Sequence, residues 1–370
     1  MQILGPTQLY EDVIAKGLCT GCGACVGLCP YFVTHRAKTS MLFPCDREQG
    51  RCFAFCPRVE LDLDEVSRFV HGAPYSGEPL GTHRQVLLAQ AKGLSGSFQA
   101  GGTVSALLCH ALQTGAAGAA VVTGQKDGLP DPRVATTAEE VLSASGSKYG
   151  AAPVLATVNK AIASGTRDLA VAATPCQAAA LAQMGMNPLG REDFMAPASL
   201  VIGLFCTWAI DARSLAALAA EHLSGKAATR MDLPPPPSEI LVLETGGRRV
   251  EVPLSEVRKL VPAGCLCCPD MTAEFADVSV GVVEGEPGWN TLIVRTQKGA
   301  DLVESAIAAG KLETREPEAE AAAHLSRAAA GKRRRAFARA REQGLLNTAE
   351  GRASLRVDEQ VAEKILTEES

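Results

Sequence analysis

The sequence predicts an α/β domain led by a small cysteine-rich unit. Three observations carry this reading. Strand-like and helix-like segments alternate from about His83 to Ala309. Seven of the 13 cysteines fall between Cys19 and Cys56. The 370 residues leave room for two to three domains at roughly 150 residues each.

Composition excludes several classes. Apolar residues make up 46% and charged residues 21%, ordinary globular usage that rules out global disorder. The net charge is −5, with 36 basic against 41 acidic residues, which argues against a nucleic-acid partner. No apolar run approaches the roughly 20 residues of a membrane span. The opening stretch MQILGPTQLYEDV lacks the basic-then-apolar pattern of a secretory signal. A cytoplasmic protein is therefore expected. Aromatics are only 4% and there are 35 glycines, so close packing through small side chains is expected.

Residues 10–70 are short of periodicity and punctuated by Pro30, Pro44 and Pro57. A unit of this kind needs something besides a core to stay folded, and inorganic clusters would serve. Val70–Gly81 reads as a linker. Val104, Leu107, Leu108 and Leu112 have helical spacing, with Gly115 as the stop. GAAGAAVVTG, ending at Gly124, reads as a buried strand. Thr137 and Glu140 form a capping box. Pro153–Ala163 reads as a helix closed by Gly165, Asp168–Ala173 as a strand and Cys176–Met184 as a helix. Leu200–Cys206 is another buried strand, and Asp211 caps a helix over Ala212–Leu223. Pro234–Pro237 must be loop. Glu239–Glu244 and Arg248–Val252 flank Thr245-Gly246-Gly247 as a hairpin. Val278–Val282 and Thr291–Arg295 read as strands, and Lys298–Ala309 as a helix ended by Gly310. From Glu316 the chain turns Ala-, Glu- and Arg-rich and reads as a charged, helical extension. Its Lys332–Arg335 run is read as a solvated helix face, with a docking segment as the alternative. The implied division is 1–75, 76–315 and 316–370.

The cysteines carry the chemistry. Cys19-x2-Cys22-x2-Cys25-x3-Cys29-Pro30 is the run found in bacterial ferredoxins. Two-residue gaps let one loop wrap three corners of a cubane, with backbone N–H groups turned toward sulfur. A zinc knuckle, the alternative, does not call for this run. The second half, Cys45-x6-Cys52-x3-Cys56-Pro57, is less regular. In the crossed pattern Cys56 completes the first cluster with Cys19, Cys22 and Cys25, while Cys29 joins Cys45 and Cys52. Leu42 stands where the usual fourth cysteine would be. The second site is thus a three-iron cluster, a four-iron cluster with another ligand, or empty, and the four-iron form is favoured.

Six further cysteines are scattered. Cys176 lies at a strand-to-helix junction, Cys206 at a strand end, and Cys265 and Cys268 form a CxxC pair. Strand ends of an α/β sheet converge on one edge, where cofactors bind. Spacing alone leaves both a four-thiolate site and plain buried cysteines open. Cys109 lies on an apolar helix face and reads as core, and His110 beside it as structural. Gln99-Ala100-Gly101-Gly102-Thr103 at a helix start could hold a phosphate or be a bare cap. Ser147-Lys148-Tyr149 could hold a diphosphate or be surface.

Together the strings CTGCGACVGLCP, QAGGTVSALL, SGSKYG, ATPCQAAAL, GLFC, GCLCCPDMTAEFADVSVG and GWNTLIVRTQKG resemble the beta-subunit family of deazaflavin (coenzyme F-420) reducing hydrogenase and formate dehydrogenase. They span about residues 15–315 in the family's order. The resemblance implies a two-cluster ferredoxin-like domain at 1–75, then an α+β or α/β domain at 76–315 that binds FAD beside a further 4Fe-4S cluster. It makes Cys176, Cys206, Cys265 and Cys268 the ligands of that cluster and leaves Cys267 out. It assigns Gln99, Gly101, Gly102, Thr103, Ser147, Lys148 and Tyr149 to the flavin. Asp270, Glu274, Asp277 and Asn290 would line or support the same cleft. With three clusters and one FAD, the implied function is an oxidoreductase subunit passing electrons between a hydride carrier, the deazaflavin coenzyme or NAD(P)H, and a one-electron partner. The implied partners are subunits of a hydrogenase, dehydrogenase or heterodisulfide-reductase-like complex. A non-catalytic relay subunit and a reductase of an organic substrate, such as a chlorophyll derivative, are the competing readings.

Overall fold

A computed structural model describes residues 2–35, 38–234, 238–349 and 354–367. The last three positions of the proline run therefore lie outside the described residues. Near the amino end, β1 (Phe32–His35) and β2 (Lys38–Met41) form an antiparallel hairpin. A two-residue strand, β3 (Leu61–Asp62), leads into the helix Leu63–His71, whose first turn is capped by the Asp62 carboxylate accepting from Asp64 N and Glu65 N.

The body is one eight-stranded sheet. Its strands are β4 (Gln85–Ala91), β5 (Ala119–Lys126), β6 (Leu129–Ala135), β7 (Leu169–Ala173), β8 (Leu200–Leu204) and, after a separate three-stranded antiparallel sheet of β9 (Arg230–Asp232), β10 (Ile240–Thr245) and β11 (Arg248–Pro253), β12 (Val278–Val282), β13 (Asn290–Val294) and β14 (Leu312–Arg315). The order is β14-β4-β13-β12-β8-β7-β5-β6. The four central strands β12, β8, β7 and β5 are parallel, and the flanks are antiparallel. Parallel strands are covered on both faces, which is why AAVV, LAVAA and LVIGL read as unbroken apolar runs.

Most expected elements are present. The helix Thr103–Thr114 ends at Gly115, which adopts the left-handed conformation that stops it. The Thr137/Glu140 capping box is formed, and Asp211 caps the helix Ala212–His222 by accepting from Ser214 N. Three strands of the large sheet, β4, β6 and β14, escaped the reading, as did the short strands β1, β2, β3 and β9. β4 is a short apolar run without strict alternation. β6, LPDPRVA, contains two prolines, and it survives because it is an edge strand whose outer N–H groups need no partner.

The chain's last third departs most from expectation. The helix Ala319–Glu342 does not present its basic run to solvent. Lys332 and Arg333 are buried, at 6% and 2% exposure, while Arg335 is exposed. Arg333 donates to the carbonyls of Gly77, Glu78 and Pro79, pairs with Glu274 and lies over the Tyr75 ring. The supposed linker is consequently a strap, pinned by two buried guanidiniums, since Arg295 also donates to the Leu80 carbonyl. Beyond this helix, β15 (Leu346–Asn347) and β16 (Leu355–Arg356) pair in parallel with each other, and β16 pairs in parallel with β3. One hydrophobic cluster runs from Cys22 and Phe55 through Leu155 and Leu181 to Phe337 and Ile365. Among the described residues no helix is long and apolar enough to cross a membrane.

Candidate metal and cofactor site

The first thiol group is built on a loop. Cys19, Cys22 and Cys25 follow the turn Tyr10–Ile14, and Cys56 follows the short helix Arg51–Ala54. The loop is docked on the helix Val154–Ala163: Leu155 N donates to Cys22 O, and the Asn159 amide donates to the carbonyls of Ala24 and Val26. Gly23 adopts a left-handed conformation, and a side chain there would strike the backbone of Pro153 and Ala156. The four cysteines line one cavity, together with Thr20, Thr39 and Arg58.

The buried thiols act on one another both within and between the groups that their spacing defines. Burial pushes the Cys22 thiol well up, and the neighbouring thiols of Cys176, Cys56 and Cys19 add to it. Burial does the same to Cys25, reinforced by Cys56, Cys22, Cys19 and Cys52. Cys56 is pushed up to about 12, chiefly by burial, although the N–H groups of Arg58 and Val59 favour its thiolate. Cys52 is pushed up to about 11, chiefly by burial, with the Cys29 and Cys45 thiols adding to it. Leu42 is exposed.

The third group forms at the carboxyl ends of the parallel strands β7 and β8. Cys176 lies in the first turn of the helix Pro175–Met186, whose Thr174/Gln177 capping box fixes the junction, and Cys206 lies two residues beyond β8. Cys265 closes the set within Ala263–Leu266, and Cys268 follows it. Gly264 packs so closely on the first loop that any side chain would overlap the Leu18 carbonyl. Burial pushes Cys265 up to about 12, with Cys176 and Cys268 as its thiol neighbours. Burial raises Cys206 further still, opposed by the Lys332 ammonium and reinforced by Cys265, Cys176 and Cys268. The three groups thus stand in series: Cys52 neighbours Cys25, and Cys22 neighbours Cys176.

The donor set suits iron–sulfur clusters. Buried thiols that crowd one another resist ionisation, so a cation must replace their protons. Backbone N–H groups of Gly21, Ala24, Phe53 and Ala209 favour the thiolates of Cys19, Cys22, Cys52 and Cys265. The buried hydroxyls of Thr20 and Thr39 have no geometrically sound partner, yet lie beside the sulfurs of Cys176 and Cys19, which thiolates would satisfy. Among the described residues no three His, Cys, Asp or Glu side chains converge on a point that would hold a single metal ion. Cys19, Cys22, Cys25 and Cys56 surround one cavity, which fits a cubane better than the zinc alternative. Cys267 turns away and donates to Gln343 Oε1 at 3.5 Å. Cys109 is buried in the core beside Ala138, and His110 meets Ser305 Oγ at 2.8 Å.

The polar residues assigned by resemblance divide. Gln99 donates to Asp232, and Tyr149 Oη accepts from Leu233 N at 3.2 Å, so the loops at 99–103 and 147–149 meet. Ser147 also bonds Tyr149, and Gly146 lies against the Ser97 carbonyl. Lys148 donates to the carbonyls of Ala144, Ser145 and Gly146 at 2.5–2.9 Å. Asn290 Oδ1 accepts from Thr103 N and fills the space beside Gly101. Gly102 begins the helix Thr103–Thr114, whose amino end has no side-chain cap. The pairing Ile210 N to Tyr149 O ties these loops to the strand end that carries Cys206. Asp270 and Glu274 stand at the third thiol group. Asp270 accepts from Thr272 N and Glu274 N at 2.9 and 2.8 Å. Asp277 does not join them. It accepts from Val201 N and Thr296 Oγ1 at the opposite end of β8, where it fastens strands together. The sequence reading missed Arg58, Thr20, Thr39, Asp232, Lys332 and Arg333. A position next to Cys-Pro was the one signal for Arg58, and a basic run facing the core has no signature in sequence.

Comparison with known proteins decides the family. The family described as "Coenzyme F420 hydrogenase/dehydrogenase, beta subunit" matches twice, its amino-terminal part over residues 86–159 and its carboxy-terminal part over residues 166–320. The chain belongs to this beta-subunit family. It is 31% identical over 243 residues to the coenzyme F420 hydrogenase subunit beta of Methanothermobacter thermautotrophicus, covering 64% of this chain and 85% of that protein. It is 29% identical over 317 residues to the coenzyme F420-dependent sulfite reductase of Methanocaldococcus jannaschii, covering 80% of this chain but 47% of that longer protein. A chain of the F420-reducing NiFe hydrogenase complex of Methanosarcina barkeri superposes with a TM-score of 0.65 at 26% identity, covering 71% of this chain and 93% of its own length. The two family segments together hold the large sheet, the third thiol group and all the polar loops above. The first two thiol groups lie ahead of them.

Proposed function

We propose that this chain is the FAD- and iron–sulfur-bearing subunit of a cytoplasmic redox complex. It would pass electrons between the deazaflavin coenzyme and a one-electron partner enzyme. The observation that carries the reading is the serial arrangement of three thiol groups, the innermost tied to the polar loops at 99–103 and 147–149. Relatives named for coenzyme F420 favour that carrier over NAD(P)H. In this reading residues 1–75 are a ferredoxin-like unit with up to two 4Fe-4S clusters, 76–315 bind flavin and a third cluster, and 316–370 close the inner site.

FAD supplies the exchange between two-electron hydride and one-electron chemistry, and the clusters supply single-electron storage. The residues would do the rest. Beyond Thr103 N, which Asn290 Oδ1 takes, the first turn of Thr103–Thr114 offers N–H groups to an anionic phosphate. Gln99, Ser147 and Tyr149 position polar contacts, and Lys148 holds its loop closed. Cys176, Cys206, Cys265 and Cys268 fix the inner cluster against the sheet edge. Buried walls between the groups exclude water and keep the spacing rigid. Anaerobically purified protein should contain one FAD and, with three intact four-iron clusters, about 12 iron. The flavin should bleach rapidly with the reduced deazaflavin coenzyme and slowly with NADH or NADPH. Absence of flavin, or reduction only by a ferredoxin, would leave a relay subunit instead.

A further inference from the structure

Among the described residues four cationic side chains are deeply buried: Arg58, Arg295, Lys332 and Arg333. Buried charges are normally paired. Two of them obey that rule. Arg333 pairs with Glu274, and Arg295 lies in the field of Glu274 and Asp270 while donating to Ser279, Leu80, Thr82 and Thr272. The other two do not. Among the described residues Arg58, 2% exposed, forms no ion pair with a carboxylate; its Nη1 reaches only the Cys267 carbonyl at 3.4 Å, and its Nε has no partner. Lys332 is held by two carbonyls, those of Cys206 and Asp270, each at 2.6 Å, again with no carboxylate in ion-pair range.

Both cations stand beside the thiol groups. Arg58 lines the cavity of Cys19, Cys22, Cys25 and Cys56, and also the adjoining cavity that contains Cys268, so it is the wall between the first and third thiol groups. Lys332 touches the third group alone, through the backbone of Cys206.

We infer that Arg58 and Lys332 are built-in countercharges for reducible clusters, Arg58 shared by the first and third sites and Lys332 belonging to the third alone. This rests on the clusters proposed above. A cation that cannot move away stabilises the more negative, reduced state more than the oxidised one, so it raises a site's affinity for an electron. With Arg58 between two sites, an electron leaving one for the other stays near the same positive charge. The step between them is thereby kept level. Both are positioning residues, since neither contacts a reacting atom.

The test is a redox titration of the intact, cluster-loaded protein followed by paramagnetic resonance. Arg58→Met should weaken electron affinity at two centres, about tenfold or more at each, ~59 mV per tenfold for one electron. Lys332→Met should weaken it at one of those two and leave the other alone. Arg58→Lys should recover most of the Arg58→Met loss, because charge and not the fork geometry is what matters. If Arg58→Met loses iron, the comparison rests on Arg58→Lys and Lys332→Met, and unmoved Lys332→Met potentials overturn the inference. Loaded Arg58→Met with unmoved potentials, or Arg58→Lys as depressed as Arg58→Met, overturns it too. Wild-type protein lacking iron and sulfide would overturn the cluster reading itself, a different result from loaded protein with unmoved potentials.

Discussion

Arg333 illustrates how much one side chain can organise. It reaches the strap at 77–79, pairs with Glu274 and covers Tyr75. Arg333→Met would leave the Glu274 carboxylate buried without its partner, which costs about 3–5 kcal/mol. A lower urea midpoint should report this, and Glu274→Gln in the same chain should recover part of it. The thiols separate by the same logic. Cys265→Ser or Cys268→Ser should abolish the inner cluster's signal and spare those of the ligands before residue 57. Cys267→Ser should leave all signals in place, because its sulfur faces Gln343. Loss of the signal in Cys267→Ser with Cys268→Ser silent would move the ligand assignment by one residue.

Between elements, the closest approach is that of the Ala263–Leu266 turn to the first cysteine loop. Gly264→Ala must push the turn off the Leu18 carbonyl. We expect both the first and third cluster signals to broaden and the melting temperature to fall; an unchanged spectrum would mean the loop can yield. At this scale the sequence was most readable where a local rule fixes the answer. The stop at Gly115, the Thr137/Glu140 box and the Asp211 cap all follow from hydrogen bonds within a few residues. It was least readable where the answer depends on what an element meets. The Lys332–Arg335 helix has the composition of a solvated face, and only what it packs against explains why half of that run is inside: Lys332 meets the third thiol group, and Arg333 meets the strap and Glu274. Val70–Gly81 has a linker's composition for the same reason. Asp277 lies in a motif next to the thiol ligands, but a chain reversal carries it to the far end of β8.

Across the whole molecule, the cysteine unit is stitched to the rest by its loops, not by a large core of its own. Its satellite cluster is built on little more than Leu9, Val13, Leu18, Phe32, Phe53 and Val59. Stripping the metal with acid or a chelator should therefore expose residues before 60 to protease first, while the eight-stranded sheet resists. Uniform cleavage along the chain would show that the clusters hold nothing together. That Cys19, Cys22, Cys25 and Cys56 share one cavity and that Cys176 and Cys206 follow adjacent strand ends was legible in sequence, because a cysteine loop is local and strand ends converge by topology. The charges that surround them were not, since those come from a helix at the far end of the chain.

The pairing of β16 with β3 has a consequence in time. Ser354 Oγ donates to the Arg58 carbonyl, and Arg356 pairs with Glu60, each across 296 residues of chain. At a translation rate of roughly 5–20 residues per second, the stretch beside Cys56 waits about 15–60 s before its neighbouring strand leaves the ribosome. Throughout that interval Leu61 offers an open strand edge, and the cysteines around it lack their final cover. The nascent amino end must be shielded, or loaded with iron, before the polypeptide that completes its fold has been made.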